Sequence, residues 1–402
     1  MSRCPAFALA LALLGCKVER IPSPPRHPAA SVPPSSPRVR LAGATAPPTD
    51  LAAPPVCAAG VDRIEAAEKA FDERSYALAL SCAEEALLDD PESAPAEHER
   101  AAALAALGKT DDARLAYAHA LALDPDDPQI LLGAADLYLS RGGGREDEEI
   151  ALAYARHGER RARRRHPELV GQLDLLQGMA LNDLGRSAEA LAELDAALAH
   201  EPRDLDARYE RGVALFELCR FAEARTELGG VLQALPDDAY AHHELGLVLE
   251  RLGDARGASA QLARATELAP KAFPAQLPVG RAEFDRLVAS AIAALPPEAH
   301  RDLKGTPVSV QELPDVADLT VDDPPLSPTI LGLFRGEPLG DAGAVDGGAA
   351  PEARAIVIYR ENLLRAVRSH DELETQVRIT LLHELGHLRG ADDDELRLQG
   401  LE

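Results

Sequence analysis

The chain has 402 residues, 46% hydrophobic and 27% charged, which is enough for two or three domains with cores of their own. Its 67 acidic against 42 basic residues leave a net charge of −25, an argument against a nucleic-acid partner, whose phosphates require lysine and arginine. With seven Phe, seven Tyr and no Trp, the cores have to be built from Leu, Ala and Val, which favours closely packed helices.

Residues 1–15 read as an export signal. Arg3 supplies a minimal positive region, Ala6 to Leu14 an apolar stretch, and Leu13-Leu14-Gly15-Cys16 closes it. The stretch is shorter than the ~20 apolar residues that span a bilayer. Leu-Leu-Gly-Cys resembles the lipobox of bacterial lipoproteins, which implies cleavage before Cys16, lipidation of its thiol and membrane attachment. By the best-known sorting rule of those proteins, Lys17 in place of Asp implies an outer-membrane destination in the cell envelope. The other reading is a plain secretory signal with an incidental cysteine. Residues 16–56 carry many prolines and no hydrophobic period, so they form a tether, extended at up to ~3.1 Å per residue. Beyond it lie Cys57, Cys82 and Cys219. Export permits a Cys57–Cys82 disulfide, but buried free thiols are the preferred reading.

From about 57 to 275 the chain repeats. Prolines at 91, 125, 167, 202, 236 and 270 close six units, and four of the five spacings are near 34 residues, with a longer step between Pro125 and Pro167. Gly178, Gly212 and Gly246 recur at that period, as do Gly185, Cys219 and Gly253. The extra residues of the longer step are expected in the junction between the second and third units, around Gly142-Gly143-Gly144 and the basic run Arg160 to Arg165. That run either docks an anionic partner or, as we prefer, is a solvated helix end where cations suit the dipole. The period, together with Leu184-Gly185-Arg186-Ser187-Ala188-Glu189-Ala190 and Asp124-Pro125, resembles tetratricopeptide (TPR) repeats, which implies a helical solenoid whose groove binds a protein or peptide.

After Pro278 the period stops. Residues 283–294 have helical spacing, 307–313 suit a short strand, 314–350 read as loop, and 355–359 are a β-run. A last helix starts at the capping box Ser369-x-x-Glu372 and runs to Leu388. The expected fold class is therefore mainly α, a TPR-type solenoid followed by a small α+β domain over 279–402.

That last helix carries His383-Glu384-Leu385-Gly386-His387. Two histidines four residues apart lie one turn apart on one side of a helix and can share a tetrahedral Zn2+. A glutamate between them is the residue zinc hydrolases use as general base toward water. Only 15 residues follow His387, so a distant third ligand is unavailable, but Gly390 can end the helix and return Asp393 to the metal. Asp392 and Asp394 are adjacent alternatives. Two titrating histidines on a solvated face, beside an acidic turn, is the competing reading. Tyr359 and Arg360 are candidate oxyanion stabilisers only by proximity in sequence.

The motif, with Phe284-Asp285-Arg286-Leu287-Val288, Leu331 to Leu339, Ile356-Val357-Ile358-Tyr359-Arg360 and Asp394-Glu395-Leu396, resembles the small zincin-like metallopeptidases, a minimal matrix-metalloprotease-like fold. The resemblance implies metal ligands His383, His387 and Asp393 and a catalytic base at Glu384. One departure is Leu388-Arg389, where that family often has His or an aromatic residue. Two functions follow: a lipid-anchored zinc metallopeptidase acting on peptides beside a TPR binding array, or a TPR scaffold whose zincin-like domain holds metal with little turnover.

Overall fold

The computed structural model describes residues 55–58, 60–141, 143–339 and 353–401, with Asp394 in backbone only. The apolar segment 1–15, Cys16 and the Pro-rich stretch to residue 54 lie outside the described residues, as does the Asp394 side chain.

Twelve helices form six antiparallel pairs. The first three pairs are α1 (Arg63–Asp72) with α2 (Tyr76–Asp89), α3 (Ala94–Ala106) with α4 (Thr110–Leu123), and α5 (Pro128–Arg141) with α6 (Arg145–Arg165). The others are α7 (Val170–Asp183) with α8 (Ser187–His200), α9 (Leu205–Glu217) with α10 (Phe221–Ala234), and α11 (Ala239–Arg251) with α12 (Ala255–Leu268). Each second helix stops two residues before a repeat proline, because proline drives the residue ahead of it out of the helical region. The side chains of Asp62, Ser93, Asp204 and Asp238 accept backbone N–H groups at the starts of α1, α3, α9 and α11.

The repeat glycines have a steric cause. A Cβ on Gly178, Gly212 or Gly246 would lie 2.5, 2.8 or 2.7 Å from the Cγ of Leu194, Leu228 or Leu262, so only glycine lets each helix pair close. Gly185 and Gly253 turn the chain with φ of +73° and +80°, and Cys219 occupies the same left-handed position at +58°. Each first helix also packs on the next first helix along the array, α1 on α3 through to α9 on α11. The first helices therefore line the inner, concave side of the solenoid.

Two expectations are corrected. The additional residues lie inside the third pair, since α6 has 21 residues where its counterpart α8 has 14. Gly143 and Gly144 directly precede α6, and Arg163 to Arg165 form its last turn, exposed as a solvated helix end. Cys57 and Cys82 are joined in a disulfide, with Cα atoms 4.9 Å apart, leaving Cys219 as the free thiol among the described residues. The bridge pins the segment before α1 onto α2 at the open end of the array, where the core is little more than Ala67, Ala83 and the cysteines themselves. The pairing follows from α1 folding back on α2, which residue spacing alone does not reveal.

Beyond the array come α13 (Arg281–Ala293), α14 (Pro297–Asp302), β1 (Val308–Gln311), a single turn α15 (Val316–Leu319), β2 (Gly332–Arg335), β3 (Ala355–Tyr359), α16 (Arg360–Ala366), α17 (His370–Leu388) and α18 (Asp393–Leu398). The sheet order is β1-β3-β2, with β1 parallel and β2 antiparallel to β3. β2 lies inside the stretch read from sequence as loop. Its four residues, fenced by Pro328 and Pro338, are too few to display a period of two. Ile356 and Ile358 of β3 pack with Phe284 and Val288 of α13 and with Leu373, Val377, Leu381 and Leu385 of α17, one core between sheet and helices.

This unit is tied to the end of the array by polar contacts. Arg365 pairs with Glu250 at 2.6 Å, Arg251 donates to the Pro314 carbonyl at 2.5 Å, and Gln276 donates to Glu361 at 2.8 Å. No helix among the described residues is long and apolar enough to cross a membrane.

Candidate metal centre

The site is built on α17. Ser369 caps it by accepting from the Glu372 N–H, and Leu373, Val377, Leu381, Leu385 and Leu388 bury one side. This leaves His383 and His387 half-buried on another side, one turn apart. Gly390, at φ +91°, then ends the helix, and the chain folds back through N–H bonds from Gly390 to the His387 carbonyl and from Ala391 to the Gly386 carbonyl.

The return brings Asp393 to the histidines. His383 Nε2 and His387 Nε2 are 3.0 Å apart, and Asp393 Oδ1 is 3.6 and 3.3 Å from them. The Asp392 side chain is occupied elsewhere: it caps α18 by accepting the Glu395 N–H at 2.9 Å.

The hydrogen bonds on the far side of each ring decide what this cluster needs. His383 Nδ1 is 2.6 Å from the Leu401 carbonyl, and His387 Nδ1 is 3.0 Å from the Ala391 carbonyl. A carbonyl can only accept, so both Nδ1 atoms carry hydrogen and both neutral rings present bare Nε2 lone pairs to one another. Two lone pairs and a carboxylate oxygen converging without a donor require a cation among them, either a proton or a metal. The three donor atoms lie within 4.8 Å of one another, and two imidazoles with one carboxylate suit Zn2+ and leave a fourth position open. The residues present fit the ion.

Glu384 is not one of the three converging groups and packs against β2. It is 5% exposed, and burial pushes its carboxyl up to about 8, with the Phe334 backbone opposing the shift and the Asp393 charge adding to it. Room for it comes from Gly332: a Cβ there would lie 2.8 Å from Glu384 Oε1 and 2.7 Å from Thr380 Cγ2. Neither Gly332 nor Phe334 was distinguishable from sequence as part of the site, since both belong to the unrecognised strand. Tyr359 is fully buried and Arg360 is held by Glu312, Glu361 and the Val279 carbonyl, so neither guess at an oxyanion stabiliser is free for that role.

Comparison with known proteins agrees with both halves of this architecture. Tetratricopeptide-repeat family models match residues 98–163 and 181–245, and a family model described as zincin-like metallopeptidase matches residues 303–401. The chain carries TPR repeats and a C-terminal zincin-like metallopeptidase domain. TPR repeats in general bind protein or peptide partners, and a zincin-like domain in general implies zinc. Similar solved structures include PilW, a widely conserved type IV pilus biogenesis factor, at 20% identity and TM-score 0.45 over 52% of this chain and 93% of its own. YrrB, a TPR protein with an unusual peptide-binding site, is 22% identical with TM-score 0.38 over 48% of this chain and 94% of its own. A thermophilic TPR protein of Thermus thermophilus is 22% identical with TM-score 0.37, over 47% and 97%. No curated protein matches the chain.

Proposed function

We propose that the zincin-like domain is a zinc-dependent peptidase, and that the TPR array beside it holds a protein or peptide partner. The observation that carries this reading is the division of labour within one helical turn. His383 and His387, with Asp393, converge three acceptors on one point, while Glu384, between the two histidines in sequence, is kept out of that set in a buried niche beside Gly332. Zinc bound there supplies a Lewis acid that polarises a carbonyl and lowers the pKa of water to ~7. Glu384 serves as the base that takes and returns a proton; its burial favours holding one near neutral pH, a tendency that a neighbouring cation moderates.

β2 supplies the place for a substrate. Among the described residues it pairs only with β3, and on this reading an extended peptide adds to its other edge as a further strand, close to the Phe334 backbone that contacts Glu384. A peptide on this edge passes beside the base. The test is zinc content and peptide hydrolysis of the parent beside Glu384→Gln. The base variant is expected to keep zinc and lose cleavage.

A second reading, a scaffold that holds metal without turnover, draws on the full burial of Tyr359 and the engagement of Arg360 by Glu312 and the Val279 carbonyl, which leaves the oxyanion without an assigned donor. Zinc bound in both proteins with cleavage in neither, across a broad peptide library, would favour it. For location we infer export and attachment through Cys16. The Cys57–Cys82 disulfide supports an oxidising compartment, and the Pro-rich stretch after Cys16 supports a tether from a membrane surface.

A further inference from the structure

One short segment, residues 391–401, touches the metal cluster three times. Asp393 supplies the carboxylate, the Ala391 carbonyl accepts from His387 Nδ1, and the Leu401 carbonyl accepts from His383 Nδ1. Among the described residues of the segment, Leu396 is the buried hydrophobic side chain. Leu396, 1% exposed, sits directly over Gly386, where an added Cβ would lie 2.3 Å from Leu396 Cδ2 and 3.2 Å from Cδ1. The Leu401 N–H also bonds back to the Leu396 carbonyl, so the residue that seats the segment holds its far end as well.

We propose that residues 391–401 form a clamp, seated by Leu396 on Gly386, that sets the orientation and tautomer of both histidines as well as delivering Asp393. Gly386 and Leu396 are positioning residues: they reach the metal through the segment. The glycine between the two histidines is then required by the leucine above it, since its own helical conformation is ordinary. The proposal rests on the metal reading given above. Partners of this kind on the far nitrogen of a histidine ligand typically carry 10–100-fold of metal affinity.

The experiment is titration of the full chain with Zn2+, and with Co2+ for its visible absorption, in the parent, Gly386→Ala, Gly386→Ala with Leu396→Val, and a chain lacking residues 401–402. Gly386→Ala is expected to weaken zinc at least ~10-fold and to change the cobalt spectrum, although alanine favours a helix over glycine. Leu396→Val, by removing the Cδ atoms that the alanine meets, is expected to restore affinity in the double variant to within ~3-fold of the parent. The shortened chain, with Gly386 and Leu396 intact, is expected to lose ~10-fold through His383 alone. Parental affinity and spectrum in both Gly386→Ala and the shortened chain would overturn the clamp while leaving the metal site standing. No zinc binding by the parent would overturn both. If Gly386→Ala fails to fold, the shortened chain decides the matter.

Discussion

Reduction of the Cys57–Cys82 bridge is expected to loosen the first helical pair and leave the rest of the molecule intact. The two cysteines are separated by 25 residues, and closing a loop of that length lowers the entropy of the open chain by ~12 cal/mol/K, or about 3.5 kcal/mol at 25 °C. The contribution is concentrated at one end, because the first pair has a neighbour on one side only and a core made largely of small side chains. Hydrogen exchange with and without a phosphine reductant reads it directly. Amides in α1 and α2 should exchange up to roughly 400-fold faster when reduced, and those of α7 to α12 should not change. Equal protection of α1 and α2 in both states would refute the reasoning, as would a non-reducing digest in which the peptides bearing Cys57 and Cys82 run separately.

Three further outcomes are expected. Burial, with Glu68 and Asp72 nearby, pushes Glu99 up to about 8, so the folded array holds its proton where the unfolded chain, near 4.5, has lost it; stability falls as pH rises from about 4.5 to about 8. Glu99→Gln should remove that fall and gain on the order of 2–4 kcal/mol at pH 9, read by denaturant unfolding at pH 5 and 9; equal gains at both would contradict the assignment. Gly332→Ala presses a Cβ on Thr380 and Glu384, costing about 1–3 kcal/mol, and should reduce peptide hydrolysis at least ~10-fold while zinc stays bound; parental rates would show that the niche does not position the base. Cys16→Ser should move the protein from the membrane fraction to the soluble fraction, and unchanged partitioning would exclude anchoring through that thiol.

Much of the helical array was legible because its period is enforced by hard constraints: prolines that halt each second helix and glycines that admit a leucine from the partner helix. The convergence of His383, His387 and Asp393 was legible for a similar reason, since a His-x-x-x-His spacing, one glycine and one aspartate all fall within a continuous stretch. Asp393 could not be separated from Asp392 by spacing; the structure separates them because Asp392 caps α18. β2 was missed, and with it Gly332 and Phe334, because a four-residue strand is defined by its pairing with β3 some two dozen residues later, which is a tertiary fact. The disulfide was likewise set by the return of α2 along α1. The carbonyls of Ala391 and Leu401 have no sequence signature, because a backbone acceptor looks the same at every residue.

The central claim is that ligands and base are separate groups, and metal content measured beside hydrolysis tests it most directly. The parent should hold close to one zinc per chain and cleave peptides. Glu384→Gln should hold the same zinc with hydrolysis reduced ~100-fold or more, and His383→Ala should lose both. Cleavage by Glu384→Gln at the parental rate, or a parent that binds no zinc, would contradict the account.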